Sequence, residues 1–324
     1  MTDTLARHAP GPAGATPEVR VRESRDWREI ERRLADDRPF AAYALGHLEW
    51  GLFEWARFWI AEGPDGIAVV MHGQALGATT VTVGAPSGVE AIVSLHPGPR
   101  RSYLSTASPE HIPALRRAYQ VTDTLSMNRM SVTAATFRPV GSQVRRMRGR
   151  DAWKINALYA TEGGPSHYTP ESIERAVYYG IFDGDRLASV AGTHIVAPNQ
   201  GIAIVGNVFT DAAYRGRGLA TRVTSAVTEE RLERGCAEVA LTVDPMNAPA
   251  LAAYTRLGYR RGSPVVEARI QRRDFLGIGP ALRRREARGR GARYGAAFEV
   301  VDAWSGVGGF DDMRADDDPR EDWA

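Results

Sequence analysis

The sequence predicts an α/β (α+β) protein made of two units in tandem. Three observations lead there. Short strand-like runs alternate with helix-period segments along most of the chain. A similar succession of helices, strands and a late helix occurs twice. A polar, strongly basic stretch, Pro139–Arg150, separates the two occurrences. The length of 324 residues exceeds that of one average domain, so two units fit it.

The elements divide the chain into a disordered leader over 1–18, a first unit over 19–140, a second unit over 141–272 and a mobile charged tail over 273–324. The leader is rich in Pro, Gly, Ala and Thr, a composition that buries little. In the first unit Trp27–Leu34 and Phe40–Phe53 read as helical. Arg57–Ala61, Gly66–Val70, Ala75–Val83, Val89–Leu95, Arg101–Ser105 and Met130–Thr136 read as strands. Ser108 and Pro109 open a helix that runs to Tyr119. The aromatic group Trp50, Phe53, Trp55, Phe58 and Trp59 reads as core. In the second unit Asp151–Tyr159 and Ser172–Tyr179 are helical, and strands at Tyr178–Asp183 and Arg186–Val196 flank the turn Asp183-Gly184-Asp185. A strand Gly201–Thr210 is followed by a helix Leu219–Arg234, a strand Glu238–Val243, a helix Pro249–Leu257 and a strand Pro264–Ile270. The tail holds six arginines in Leu282–Tyr294 and seven acids in Asp311–Asp322, which read as solvated charge.

Composition excludes several function classes. The net charge is +2, which gives no general argument for nucleic acid or an anionic membrane. The single cysteine, Cys236, leaves no internal disulfide and no Cys-based zinc site, so no metal is expected and a reducing, cytoplasmic setting is. No apolar run approaches the ~20 residues that span a bilayer. Oligomeric state is not legible.

The segment with chemical content is Arg215-Gly-Arg-Gly218-Leu-Ala-Thr221. It joins the strand ending at Thr210 to the helix starting at Leu219. A helix start carries unpaired N–H groups and partial positive charge, which suit phosphate oxygens. Gly216 and Gly218 let the backbone approach closely, and Arg215 and Arg217 add cationic donors. A Walker loop is ruled out because the only lysine, Lys154, lies elsewhere, and the three-glycine dinucleotide fingerprint is absent.

This segment resembles the Arg/Gln-x-x-Gly-x-Gly/Ala acyl-CoA signature of the GNAT superfamily of N-acyltransferases. A second block, Asn247-Ala-Pro-Ala250-Leu-Ala-Ala-Tyr254-Thr-Arg-Leu-Gly258-Tyr259, resembles the family's N-x-x-A-x-x-x-Y-x-x-x-G-F/Y block. The resemblance covers about residues 150–270. It implies a mixed, twisted sheet flanked by helices, whose strands Gly201–Thr210 and Glu238–Val243 splay apart. It implies acetyl-CoA or another short acyl-CoA as co-substrate. Pantetheine would pair with Val208, Phe209 and Thr210. Arg215, Gly216, Arg217, Gly218, Leu219, Ala220 and Thr221 would hold the pyrophosphate, and Asn247 would contact the cofactor arm. Tyr254 would sit by the thioester sulfur.

The reaction so implied is direct attack of a small-molecule amine on the thioester. Tyr254 suits protonation of the leaving thiolate, because its pKa near 10 keeps it protonated. The family's usual strand carboxylate has no counterpart in Ile202–Phe209, where Asn207 is the only polar side chain. His194 is the candidate base; Asp211, Asp244, Glu267 and a water chain are alternatives. The missing carboxylate also admits a non-catalytic acyl-CoA-binding or regulatory module. The first unit reads as a degenerate GNAT-like domain with His96-Pro-Gly-Pro-Arg-Arg101 in the place of the phosphate loop, where prolines remove donors.

Overall fold

The computed structural model describes residues 19–141, 143–163, 168–274 and 278–293; the expected leader and most of the acidic tail lie outside these. Twelve strands among them join in one mixed sheet. They are β1 (Arg20–Ser24), β2 (Ala56–Gly63), β3 (Gly66–Gly73), β4 (Thr79–Gly84), β5 (Arg101–Thr106), β6 (Tyr119–Thr133), β7 (Arg145–Arg146), β8 (Tyr179–Asp183), β9 (Arg186–Ala197), β10 (Ile202–Thr210), β11 (Glu238–Val243) and β12 (Arg260–Arg272). The helices are α1 (Trp27–Leu34), α2 (Ala42–Gly46), α3 (Pro86–Leu95), α4 (Ile112–Ala118), α5 (Ala152–Ala160), α6 (Pro170–Arg175), α7 (Leu219–Glu233), α8 (Ala248–Arg256) and α9 (Ile278–Arg293).

The strand order is β1-β2-β3-β4-β5-β12-β6-β11-β10-β9-β8-β7. Each half runs through the same succession. In the first, β4–α3–β5 forms a parallel β-α-β unit, followed by α4 and β6; in the second, β10–α7–β11 does so, followed by α8 and β12. The last strands are exchanged. β6 lies beside β11, with Val132 opposite Val239, and β12 lies beside β5, with Ala268 opposite Leu104. The two exchanged strands also pair with each other at the centre.

Several elements differ from the sequence reading, for physical reasons. Val89–Leu95 belongs to helix α3, because Pro86 stands in its first turn and Val89, Ile92 and Val93 form one buried face at helical spacing. His96–Arg100 therefore links α3 to β5, with Arg101 opening the strand, and the connection in the place of a phosphate loop is Ala85 alone. Phe40–Phe53 yields only the five-residue α2 before the chain turns. The strand expected at Met130–Thr136 is the 15-residue β6, which reaches back to Tyr119 because both its edges are paired. Phe58 and Trp59 are core, but Trp50 and Trp55 are exposed. The chain beyond Arg273 is not simply a mobile tail: α9 docks on the end of α3, with Arg283 Nε donating to Ser94 O at 3.0 Å and Arg284 Nη1 to Leu95 O at 2.6 Å.

The core joins the halves. Tyr43, Ala44 and Leu45 of α2 share one buried cluster with Ile195, Ala197, Ile202 and Ile204 of β9 and β10. Val205, next to Ile204, belongs instead to the cluster that receives Leu219, Val223 and Val227 of α7. Adjacent strand residues face opposite ways, so α2 and α7 cover opposite faces of β10. Burying each large aliphatic side chain contributes about 1.5–3 kcal/mol, enough to hold α2 firmly on the second half.

Strand exchange makes a direct prediction. Residues 19–140 and 141–293 expressed separately should each fail to show a cooperative urea transition, because β6 and β12 would each lose long ladders. The two pieces refolded together should regain one. A cooperative transition in either piece alone would show that the halves are independent domains.

Candidate functional site

The β10–β11 ladder begins at Ile202–Glu238 and ends at Val205–Leu241. β10 continues to Thr210 against β9 alone, so the two parallel strands splay beyond Val205, as the sequence reading expected. Two irregularities mark the splay. Ile204 faces Ile195 and Val205 faces Thr193, which leaves His194 as the extra residue of a bulge on β9. Gly206 faces Gly192 and Phe209 faces Val190, which sets Asn207 and Val208 against Ala191 alone. Asn207 adopts φ of 53°, a conformation that asparagine tolerates better than most residues. Bulges of this kind re-aim side chains next to functional sites.

Of the expected pantetheine-pairing residues, Phe209 packs its ring 4.8 Å from that of Tyr159. Thr210 shares a 2.8 Å hydrogen bond with Ser189, and Val208 packs against the cluster beneath α7. Downstream, Gly216 and Gly218 take φ of 78° and 73°, and the space where a Cβ would stand is open at both. Gly218 is the N-cap of α7 and offers no side-chain cap. The helix ladder opens with Arg222 N to Gly218 O at 3.3 Å, so the N–H groups of Leu219, Ala220 and Thr221 emerge from the helix end. No acidic residue stands in that first turn. The two arginines fold along their own loop. Arg215 donates to Thr210 O at 3.1 Å and pairs with Glu162, and Arg217 donates to Ala213 O at 3.2 Å.

Asn247 caps α8, its Oδ1 accepting from Ala250 N at 3.1 Å. Its side chain is thus engaged in starting the helix that carries Tyr254. Tyr254 is 7% exposed, within the cluster formed by α7, β10 and β11. Burial pushes its phenol up to about 12. It therefore keeps its proton throughout the range in which an amine reacts.

His194 is held from both sides. Nδ1 lies 2.9 Å from the Tyr43 hydroxyl of α2, and Nε2 lies 2.9 Å from Asn207 Oδ1. Asn207 Nδ2 donates to the Tyr178 hydroxyl at 2.7 Å. The other candidate acids do structural work. Asp211 is ion-paired with Arg186 and caps the next turn through Ala213 N, and that backbone bond leads the effects holding its carboxyl low. Asp244 is exposed and accepts from Met246 N at 2.8 Å. Glu267 is 1% exposed and accepts from the Tyr103 hydroxyl at 2.9 Å; burial raises its pKa against the pull of Arg129. Tyr43 and Tyr178 escaped sequence reading. Tyr43 lies 151 positions from His194 and has no local motif. Asn207 did give a signal, as the lone polar residue of its strand. No His, Cys, Asp and Glu cluster fit for a metal occurs among the described residues.

Residues 150–259 match the Acetyltransferase (GNAT) family. The [Ribosomal protein bS18]-alanine N-acetyltransferase of Salmonella typhimurium is 25% identical over 137 residues, covering 42% of this chain and 84% of that protein. A mycothiol acetyltransferase of Catenulispora acidiphila is 36% identical over 91 residues, covering 26% of this chain and 29% of that protein. Among solved structures, a GCN5-related N-acetyltransferase from Kribbella flavida gives a TM-score of 0.49 at 16% identity, covering 72% of this chain and 96% of that one.

Two outcomes are expected from the site geometry. Gly218→Asp puts a carboxylate at the emerging N–H groups and should weaken acetyl-CoA binding about 100-fold or more, since each lost charge-assisted bond costs ~1.5–3 kcal/mol. Calorimetric titration of the folded variant checks this, and retained affinity would remove the cradle. For Tyr254 the folded pKa stands above the ordinary 10.0, so its stabilising contribution is full below that pH and lost as pH rises toward about 12. Urea titrations from pH 10 to 12 should therefore show wild type losing more stability than Tyr254→Phe.

Proposed function

We infer, from the match of residues 150–259 to the Acetyltransferase (GNAT) family and from its N-acetyltransferase relatives, that this chain is an acetyltransferase that moves an acetyl or other short acyl group from acyl-CoA to an amine. We propose that the amine belongs to a small molecule. The observation that carries this reading is the position of α2. It covers Ile195, Ile202 and Ile204 on the face opposite α7, and it sets Tyr43 against His194 at the splay. The chain's own first half thus stands against the splay, an arrangement that favours a compact amine in this reading. The match to a mycothiol acetyltransferase supports this reading. The match to a bS18-alanine N-acetyltransferase, and a 44% match over 48 residues to an Arabidopsis N-alpha-acetyltransferase MAK3, support a second one, in which the acceptor is a protein's α-amine.

In the proposed mechanism the N–H groups of Leu219, Ala220 and Thr221 hold the pyrophosphate, and the edge of Val208–Thr210 that β11 leaves uncovered holds pantetheine. The neutral amine attacks the thioester carbonyl. A C–N bond forms, the C–S bond breaks, the amine's proton leaves toward His194, and Tyr254 donates its hydrogen bond to the departing sulfur; His194 then gives its proton to solvent and the thiolate takes one from solvent. Burial keeps Tyr254 protonated, so the donor is present when the thiolate forms.

The test is thiol release from acetyl-CoA with a panel of polyamines, amino sugars, aminoglycosides and peptides with a free α-amine. Turnover on small amines is the expected result; turnover on peptides alone would establish the second reading. Tyr254→Phe should lower kcat about 10²-fold with acetyl-CoA affinity nearly unchanged. Equal turnover by the variant would remove the donor role.

A further inference from the structure

The side chains around His194 form a continuous polar chain drawn from both halves: Tyr43 of α2, His194 of β9, Asn207 of β10 and Tyr178 just before β8. We propose that Tyr43, supplied by the first half, is a proton-relay residue of the acetyltransferase reaction, through whose hydroxyl the acceptor amine's proton reaches His194 Nδ1. This rests on the acetyltransferase reading of the same site and adds a catalytic contribution from the half that lacks the phosphate loop.

The hydrogen bonds decide the direction. With the Asn207 amide oriented as it stands in the structure, its Oδ1 accepts from His194 Nε2–H and its Nδ2 donates to Tyr178, and in that arrangement Nε2 keeps its hydrogen in both ring states. Protonation and deprotonation therefore occur at Nδ1. The Tyr43 hydroxyl can donate to the neutral ring and accept from the imidazolium, so it satisfies both states without any heavy atom moving. An amine, directly or through one water, gives its proton to Tyr43 Oη as Tyr43 gives its own to Nδ1. The tyrosine ends unchanged and the positive charge rests on His194.

The surroundings are shaped for this chain. A Cβ at Gly206 would stand 2.1 Å from the His194 ring, and one at Gly192 would stand 2.2 Å from the Tyr178 ring. A Cβ at Gly46 would stand 2.4 Å from Ile195, so the close approach of α2 that delivers Tyr43 also needs a glycine. Tyr43 is 4% exposed, whereas His194 and Asn207 are only partly buried. The charged group facing Tyr43 is Arg129, whose guanidinium carbon lies 5.2 Å from the ring centroid and favours electron density on the phenol oxygen during transfer. Arg129 is in turn opposed by Glu267 and Asp37.

Tyr43→Phe keeps the ring over Arg129 and removes the hydroxyl, together with its hydrogen bond to Arg129. Kinetics would use the most active amine of the panel above, or acetyl-CoA hydrolysis with water as acceptor. The variant should bind acetyl-CoA as wild type does and lose about 10²-fold in kcat. Tyr43→Phe with His194→Gln should lose no more than His194→Gln alone, because the two act in one pathway. Full kcat in Tyr43→Phe, or multiplicative losses in the double variant, would overturn the relay while leaving the acetyltransferase reading intact. A readout independent of turnover is the His194 Nδ1 nitrogen resonance, assigned by its disappearance in His194→Gln. It should move in Tyr43→Phe, and an unmoved resonance would overturn the relay whatever the activity.

Discussion

Everything in this molecule depends on the exchange of β6 and β12 across the centre of the sheet. β6 is hydrogen-bonded on one edge to β11 and on the other to β12, so neither half can complete its sheet alone. Arg129 fixes the register of that exchange. It is fully buried on β6, and it donates to Thr242 of β11 at 2.7 Å and to Thr106 of β5 at 2.8 Å. Glu267 on β12 supplies the opposing charge, with burial pushing the acid up and the guanidinium down. A buried charge of this kind tolerates few alternative alignments, because any slip leaves it unpaired. Register specificity, more than net stability, is what such a group contributes.

That constraint reaches the site through α2. The helix is only five residues long and has no side-chain cap, so it would not persist by itself. The packing of Ile195, Ile202 and Ile204 holds it in place, and that packing exists because the exchanged strands lock the halves together. The bulges on β9 and β10 then turn His194 toward Tyr43 and Asn207 toward His194. A strained residue such as Asn207 costs about 1–3 kcal/mol and persists only where its neighbours over-determine it. Here Tyr178 and His194 do so from two sides.

What the sequence revealed follows the range of each interaction. The β10–α7–β11 unit was legible because each of its signals is local: a strand, two glycines of positive φ, a helix with Leu219, Val223 and Val227 on one face, and Gly235 after it. The splay at Val205 came from the resemblance and agrees with the ladder. α3 was misread because seven apolar-rich residues taken alone suit a strand as well as a helix, and the deciding residue, Pro86, lay just outside the window. The pairing of β6 with β11 was invisible, since no local pattern says which edge a strand will join. His194 could be nominated, but its environment could not, because its partners come from distant segments.

The repeat explains why only one half carries the cradle. In the second half, eight residues separate β10 from α7, and the helix start emerges without a cap. In the first half, β4 and α3 are joined by Ala85 alone. The Ala85 N–H is bonded to Ile67 O at 2.9 Å, and Pro86 has no N–H to offer. The end of β4 is further occupied by His111, whose ring reaches Thr82 Oγ1 and Gly84 O, each at 2.9 Å. The space left open at the helix start in one copy is thus filled by protein in the other. The first half retains the packing that positions α2, and that packing sets Tyr43 against His194.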